Sequence, residues 1–259
     1  MEPDLTIELI NATVQIEQPL PDGRRTVGTG FLVEAPGPDG RPRTILVTAA
    51  HVFDQMAGDT ISVGWRFANS AGAWRYAPAP LAIRAGGQPL YTKHPTFDVA
   101  VMRIIAPTEF ANAAIPLSWL ATENSFEEFG VGPGDEMMTI GYPLGQSSNR
   151  AGFPILRTGR IASYPLFPIA QFSTFLVDLR VLGGNSGGPV FMTGYSRRRP
   201  GTEQASEAFI AGVLTKQLDL EIGVVTHAVY VREAISLLDD PGLLTRPTPT
   251  QPARPPSGR

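Results

Sequence analysis

The segment Gly183-Gly184-Asn185-Ser186-Gly187-Gly188-Pro189 decides how this sequence is interpreted. One hydroxyl side chain lies among small residues, and the apolar residues Val190 and Phe191 follow it. A nucleophilic serine needs open approach to a carbonyl carbon and backbone N–H groups that face the oxyanion formed by its attack. Glycine permits the tight turn that exposes such N–H groups. The segment therefore predicts a nucleophile at Ser186, and the alternative is a glycine-rich hairpin with an incidental serine.

A serine nucleophile needs a base, and only His51, His94 and His227 are available. His51 follows an apolar strand that ends at Thr48, and the two small residues between them leave the imidazole room to face a partner. We interpret His94, which precedes Pro95, as a surface-turn residue. His227 is expected on the outer face of the last strand. His51 is therefore the candidate base.

The base in turn needs a group that orients it, and Asp98 is the candidate. Asp98 opens the apolar segment 99–105, in which Arg103 is the only charged residue, so we expect this strand to be buried on both faces. A carboxylate at the start of a buried strand is costly unless it is paired. The Nδ1–H group of His51 is a suitable partner, and the alternative is a turn aspartate at the strand start.

The composition excludes several classes of protein. The chain has 259 residues, of which 42% are hydrophobic and 17% charged, which is enough to bury a core. Zero cysteines exclude a disulfide scaffold, a thiolate metal site and a cysteine nucleophile. With 21 Lys and Arg against 24 Asp and Glu, nothing suggests nucleic-acid binding. We therefore expect no cofactor, no metal and no nucleic-acid partner.

The 27 Gly and 25 Pro are typical of short strands and turns, so we predict an all-β protein. One amphipathic helix is predicted at 229–239, ended by Pro241. The candidate strands are 6–17, 30–34, 44–48, 60–67, 74–85, 99–105, 136–142, 156–162, 175–179, 189–192, 209–214 and 223–229.

Two segments lie outside this pattern. The polar segment 193–206 carries Arg197, Arg198 and Arg199 and is predicted to be a solvated loop, with a partner contact or a self-cleavage site as the alternative. The proline-rich segment 241–259 is predicted to be a disordered tail. The first residues are acidic and lack the pattern of a secretory signal, and no long apolar run is present. We therefore expect a cytoplasmic protein with no membrane partner.

Three segments, in order, resemble the signature segments of the chymotrypsin/trypsin-fold serine peptidases: TAAH at 48–51, FDVAVMRI at 97–104 and GGNSGGPVF at 183–191. GTGFLV at 28–33 resembles the strand that precedes the histidine strand of this family. Further similarity lies in GYP at 141–143, RTGRIAS at 157–163 and the last two strands. The resemblance covers about 6–239.

The resemblance implies two antiparallel six-stranded barrels and a C-terminal helix. Residues 1–115 would form the first barrel and carry His51 and Asp98. Residues 116–240 would form the second barrel with the terminal helix and carry Ser186, and 241–259 the tail. The chain is more similar to the bacterial high-temperature-requirement type, without room for a PDZ domain, because Asn185 cannot pair with a newly cut N-terminus. No zymogen cleavage at Arg24-Arg25 is therefore expected.

By the same resemblance, Ser186 attacks a peptide carbonyl, His51 takes its proton and Asp98 holds the imidazole. The oxyanion would be bound by N–H groups at Gly184, Asn185 and Ser186. We hypothesise that this oxyanion hole is unformed without a ligand, because Gly183 also lets the loop flip.

The resemblance also places a substrate pocket at Arg180, Val181, Leu182, Leu214, Thr215 and Lys216. A cation at Arg180 would favour an acidic substrate residue, but we prefer the interpretation that Arg180 points away and pairs with Asp178. The absence of an Asp at the pocket base argues against cleavage after Lys or Arg.

The predicted function is a serine endopeptidase that acts through an acyl-enzyme. The missing cysteines and leader point to a regulated cytoplasmic protease with few protein or peptide substrates and an activating protein partner. The alternative is a trypsin-like fold used as a non-catalytic binding scaffold. The presence of His51, Asp98 and Ser186 together argues against that alternative.

Overall fold

The computed structural model describes residues 4–202, 208–218 and 221–239. The predicted tail at 241–259 and the end of the predicted loop, 203–206, lie outside the described residues.

Short strands dominate the described chain, as the glycine and proline content predicts. The α-helices are α1 (Leu5–Ala12), α2 (Ala50–Asp54), α3 (Thr108–Asn112), α4 (Ser125–Glu128) and α5 (Val229–Leu237), with 3₁₀ turns at Leu117–Trp119 and Pro143–Gly145. The strands of the first half are β1 (Thr13–Pro19), β2 (Arg25–Pro36), β3 (Pro42–Thr48), β4 (Thr60–Ala68), β5 (Trp74–Ala82), β6 (Arg84–Ala85), β7 (Gln88–Pro89), β8 (Thr92–Lys93), β9 (Ala100–Ile104) and β10 (Ile115–Pro116). Those of the second half are β11 (Glu136–Gly141), β12 (Ile155–Ile161), β13 (Thr174–Asp178), β14 (Pro189–Met192), β15 (Phe209–Leu218) and β16 (Ile222–His227).

The second half forms a closed antiparallel barrel of six strands in the order β11-β12-β13-β16-β15-β14. The first half is an eight-stranded sheet in the order β5-β4-β1-β2-β3-β9-β8, and β10 pairs with β2 in parallel. The all-β prediction and the C-terminal helix are confirmed. The first sheet differs from a six-stranded unit because the short β8 and β10 extend it.

The chain begins with a helix where a strand was predicted at 6–17. The side chain of Asp4 accepts a hydrogen bond from the N–H of Thr6 and caps α1. Leu5, Leu9 and Ala12 are buried at helical spacing. The strand starts only at Thr13, so the first half of this prediction is wrong.

Two histidines are buried where exposed positions were predicted. His227 is 1% exposed inside the barrel, with the rings of Phe126 and Phe175 centred 4.8 and 4.9 Å from its own. His94 does lie in a turn, but its Nε2 lies 2.9 Å from Oε2 of Glu233 on α5. Both predicted surface positions are therefore wrong, because aromatic and acidic partners from distant segments cover these imidazoles.

The arginine run does not form a solvated loop. Asp135 is fully buried, with its Oδ1 3.2 Å from Nε of Arg198 and its Oδ2 2.6 Å from Nη1 of Arg199. The Arg198 side chain is 6% exposed, and only Arg197 extends into solvent, beside Glu136. A buried carboxylate requires such paired cations. The run therefore attaches the loop to the start of β11.

The helix predicted at 229–239 is confirmed as α5, with Val231, Ala234 and Ile235 buried against the body. Arg43 of β3 and Asp239 form an ion pair at 2.5 Å that fastens the end of this helix. Within the described residues, no helix has both the length and the apolar character needed to cross a membrane.

Burial of His227 should make the protein sensitive to acid. Desolvation lowers the pKa of His227 from 6.5 to about 4. As the pH falls, His227 therefore binds a proton in the unfolded state before it does so in the folded state. Stability that is present above pH 6.5 is lost as the pH falls towards 4. We expect this group to remove about 3 kcal/mol of unfolding free energy over that range.

Urea unfolding of the wild type and of His227→Leu, at neutral pH and near pH 4, measures this contribution. The variant should lose less stability on acidification by about 3 kcal/mol. An identical pH dependence of the two proteins would contradict the assignment.

Candidate active site

Strand pairing brings His51 and Asp98 together. Thr48 at the end of β3 pairs with Ala100 at the start of β9, so the residues just beyond these two strand ends are neighbours. Nδ1 of His51 lies 2.6 Å from Oδ2 of Asp98. The backbone N–H of His51 donates to Oδ1 of the same carboxylate at 2.9 Å. Asp98 therefore fixes both the position and the ring orientation of His51.

The Asp98 carboxylate stays ionised in this setting. Its partial burial alone would raise its pKa. The hydrogen bonds from the His51 ring and backbone lower the pKa by more than burial raises it, so the net shift is downward. An ionised Asp98 accepts a hydrogen bond from Nδ1–H of His51. This bond fixes the proton on Nδ1 and leaves Nε2 free to act as the base.

Ser186 faces the same pocket as His51. Both residues line a cleft of about 580 Å³ together with Gly183 and Gly184. Gly187, at φ +89°, follows the serine, and a Cβ there would overlap the carbonyl oxygen of Thr29. In the described part of the chain, no hydrogen bond joins Ser186 Oγ to His51. The structure thus brings the three predicted residues together. Within the described residues, the hydroxyl of Ser186 makes no hydrogen bond.

Thr29 on β2 holds the serine loop against the first sheet. Its N–H donates to the carbonyl of Ser186 at 2.9 Å, and its hydroxyl donates to the carbonyl of Gly184 at 2.6 Å. The same hydroxyl accepts from the N–H of Tyr142 at 3.1 Å. These bonds connect β2, the strand that precedes the histidine strand β3, with the loop that carries Ser186.

The peptide groups before Ser186 have a defined direction. The carbonyl of Gly183 accepts a hydrogen bond from the N–H of Leu144 at 2.6 Å, so the N–H of Gly184 points the opposite way. Among the described residues, the N–H groups of Gly184 and Ser186 donate to no acceptor. The N–H of Asn185 donates to Leu182 at 3.0 Å. Asn185 is therefore not available to an oxyanion, and the hypothesis of a flipped loop is not what the structure shows.

The predicted substrate-pocket residues do not line this cleft. Nε of Arg180 is 2.9 Å from Oε1 of Glu221, and both side chains are exposed. The predicted partner Asp178 instead lies opposite Arg160 in the strand register. The remaining candidates divide into the buried Val181, Leu214 and Thr215, the half-buried Leu182 and the exposed Lys216. None of the six lines the cleft that Ser186 shares with His51.

Sequence analysis missed the buried Arg66 on β4. Its Nη1 donates to Tyr142 Oη at 2.6 Å, and its Nη2 donates to the carbonyls of Ile10 and Asn11. Burial lowers the pKa of Arg66 and raises that of Tyr142. Arg66 thus joins α1, β4 and the segment that contacts Thr29. The signal was available, since Arg66 is a lone charge between Trp65 and Phe67.

The described residues contain no group of three or more His, Asp or Glu side chains placed to hold a metal ion.

The Thr29 hydroxyl should contribute measurably to stability. Thr29→Val keeps the shape of the side chain but leaves the carbonyl of Gly184 and the N–H of Tyr142 without partners. We expect a loss of about 1–3 kcal/mol in the free energy of unfolding, measured by urea titration.

Thr139→Val is the matched control, because the Thr139 hydroxyl is buried without a hydrogen-bond partner. That variant should be neutral or slightly stabilised. Equal losses in the two variants would show that the Thr29 bonds contribute nothing specific.

Comparison with known proteins agrees with this geometry. Residues 28–218 match the family model of the trypsin-like peptidase domain. No curated protein matches the sequence.

Solved structures with a similar fold include two proteases and a protein named GrC, and at their low identities the likeness shows the fold alone. A thermostable serine protease, AL20, from an extremophilic microorganism is 13% identical with a TM-score of 0.50, over 90% of this chain and 98% of that chain. Protease Anisep from Arthrobacter nicotinovorans is 16% identical with a TM-score of 0.52, over 88% and 95%. A protein named GrC is 17% identical with a TM-score of 0.53, over 89% and 95%. Because the family match spans most of its length, the chain belongs to the trypsin-like peptidase family of serine proteases.

Proposed function

We propose that the protein is a serine endopeptidase in which Ser186 is the nucleophile, His51 the general base and Asp98 the residue that orients the base. The observation that carries this proposal is the shared cleft: the serine and the carboxylate-bound histidine line the same cleft. A nucleophile, a base and an orienting group in one cleft are the set that acyl transfer requires.

In the proposed reaction, Ser186 Oγ attacks the peptide carbonyl while its proton passes to Nε2 of His51. The oxyanion accepts hydrogen bonds from the N–H groups of Gly184 and Ser186. Its collapse breaks the C–N bond, and His51 protonates the leaving amine. Water, deprotonated by His51, then hydrolyses the ester and restores Ser186. Removing one such oxyanion donor typically lowers kcat by about 10²–10³-fold.

The unbonded Ser186 hydroxyl fits this proposal. Catalytic hydrogen bonds are often long or unaligned without substrate and shorten in the Michaelis complex. The hydrogen bond between Leu144 and Gly183 already orients the N–H of Gly184. Substrate therefore has to align the rotamer of Ser186 and not the backbone of the loop.

Cytoplasmic location, few substrates and an activating protein partner are the regulatory part of the proposal. The complete lack of cysteine supports a reducing compartment, where disulfides would not persist. The high-temperature-requirement-like subtype is supported by Asn185, which is buried with its Nδ2 unpaired and forms no ion pair of the zymogen type.

A fluorophosphonate probe tests the catalytic part directly. The wild type should react with one equivalent of probe, because the proposed mechanism activates Ser186 through His51, and Ser186→Ala should not react. Intact-protein mass spectrometry measures the adduct.

Ser236→Ala, an exposed serine on α5, is the control and should label like the wild type. Labelling that survives in Ser186→Ala contradicts the assignment of the nucleophile. A folded wild type that never labels supports the non-catalytic scaffold instead.

The regulatory part predicts limited proteolysis by the isolated chain. Without its activating partner, the isolated chain is expected to form at most a few discrete fragments of casein on a gel, and Ser186→Ala is expected to form none. Degradation of casein to small peptides would contradict a protease restricted to few substrates.

A further inference from the structure

The cleft beside Ser186 extends past His51 to the turn between β1 and β2. Its volume of about 580 Å³ is in the range of ligand-binding clefts. Three parts of the chain form its walls: the hairpin, α2 and the loops of the barrel. Arg24 and Arg25 belong to the hairpin, His51 and Val52 to α2, and Gly184 and Ser186 to the loops of the barrel.

The position of this cleft relative to His51 identifies the part of the substrate that it receives. In the proposed reaction His51 gives its proton to the leaving amine, so the segment that follows the scissile bond departs past the imidazole. The hairpin lines the same cleft as Val52 of α2 and Gln55, the residue that follows this helix. We therefore assign the hairpin wall to the leaving-group side. The candidates for the acyl side, among them Val181 and Leu214, do not line the cleft.

The charged side chains among the lining residues are Arg24 and Arg25. Arg25 is committed within the protein: Nη1 lies 2.9 Å from Oε2 of Glu17, and Nη2 donates to the carbonyl of Gly145. Its guanidinium therefore builds the wall and has little left to offer a substrate.

Arg24 differs from Arg25 in which of its guanidinium nitrogens are bonded within the protein. Asp22 accepts from its backbone N–H at 3.0 Å and from its Nε at 2.7 Å. The pKa of Asp22 is lowered by these two bonds, so the carboxylate remains charged and holds the Nε edge. Among the described residues, Nη1 and Nη2 of Arg24 make no hydrogen bond, and the side chain is 80% exposed.

A guanidinium held at Nε and free at both terminal nitrogens presents the fork that binds a carboxylate through two bonds. We propose that Arg24 binds an acidic side chain of the substrate on the leaving-group side of the scissile bond, and so favours substrates with Asp or Glu shortly after the cleaved bond. This inference rests on the proposed function of Ser186 and His51.

The expected preference is modest. Arg24 is exposed, and Asp22 and Glu17 offset the charges of the two arginines, so the effect should be about 2- to 5-fold in kcat/KM. It should shrink as the salt concentration rises, because an exposed pair is screened.

Matched peptides measure the preference. A library first locates a cleaved sequence, and quenched fluorescent peptides then differ only by Glu, Gln or Lys at one position after the cleaved bond. The wild type should cleave the Glu peptide about 2- to 5-fold faster than the Gln peptide at low salt. Arg24→Gln should cleave both equally, and Arg24→Glu should favour Lys.

Arg41→Gln is the matched control. Arg41 lies in the next hairpin, and its side chain is 87% exposed. It follows Asp39 by two residues, which is the same spacing as between Asp22 and Arg24. It does not line the cleft, so the wild-type preference should persist. Cleavage by the wild type without an acidic preference, or a preference that survives in Arg24→Gln, would overturn the inference and leave the proposed function intact.

A second measurement needs no turnover. Short peptides that begin at the residue after the cleaved bond compete with the fluorophosphonate probe for Ser186. Glu-containing peptides should slow labelling of the wild type more than Gln-containing ones, and Arg24→Gln should show no difference. Equal protection in the wild type overturns the inference, whereas absence of labelling under all conditions counts against the proposed function itself.

Discussion

The site depends on the contact between Thr29 and the serine loop. The first sheet supplies the histidine and its carboxylate, and the barrel supplies the serine. With no cysteine in the chain, noncovalent contacts must hold them in register. Thr29 bonds to the carbonyls of Ser186 and Gly184, and Thr48 Oγ1 donates to the carbonyl of Thr29 at 2.7 Å. Gly187 is required because any side chain would displace that carbonyl.

A second contact reaches the site from farther away. Arg66 carries a charge into the interior, where four acceptors replace water: Tyr142 Oη and the carbonyls of Gly152, Ile10 and Asn11. Leu144, two residues after Tyr142, donates its N–H to the carbonyl of Gly183 and so orients that peptide. The direction of the free Gly184 N–H therefore depends on packing between the two halves.

The predictable part of the molecule was local. Alternating apolar residues and glycine turns predict most strands, and short segments around His51, Asp98 and Ser186 predict the residues that meet in the cleft. The environments of His227, Arg198 and Arg180 were not predictable, since each depends on residues far away along the chain. The helix α1 was missed because its residues Leu5, Ile7 and Leu9 alternate with polar residues, as in the strand pattern that follows. Local sequence patterns do not show which residues from distant parts of the chain will pack together, so the partners of these side chains could not be predicted.

A crystal structure with a bound peptide boronic acid would show directly whether Ser186 is the nucleophile. We expect a covalent bond from Ser186 Oγ to boron and a boronate oxygen about 2.7–3.1 Å from the N–H groups of Gly184 and Ser186. His51 would contact the adduct and keep its bond to Asp98. A boronate bound away from Ser186, or a Gly183 carbonyl turned towards the boronate oxygen, would rule out the proposed roles of Ser186 and its loop.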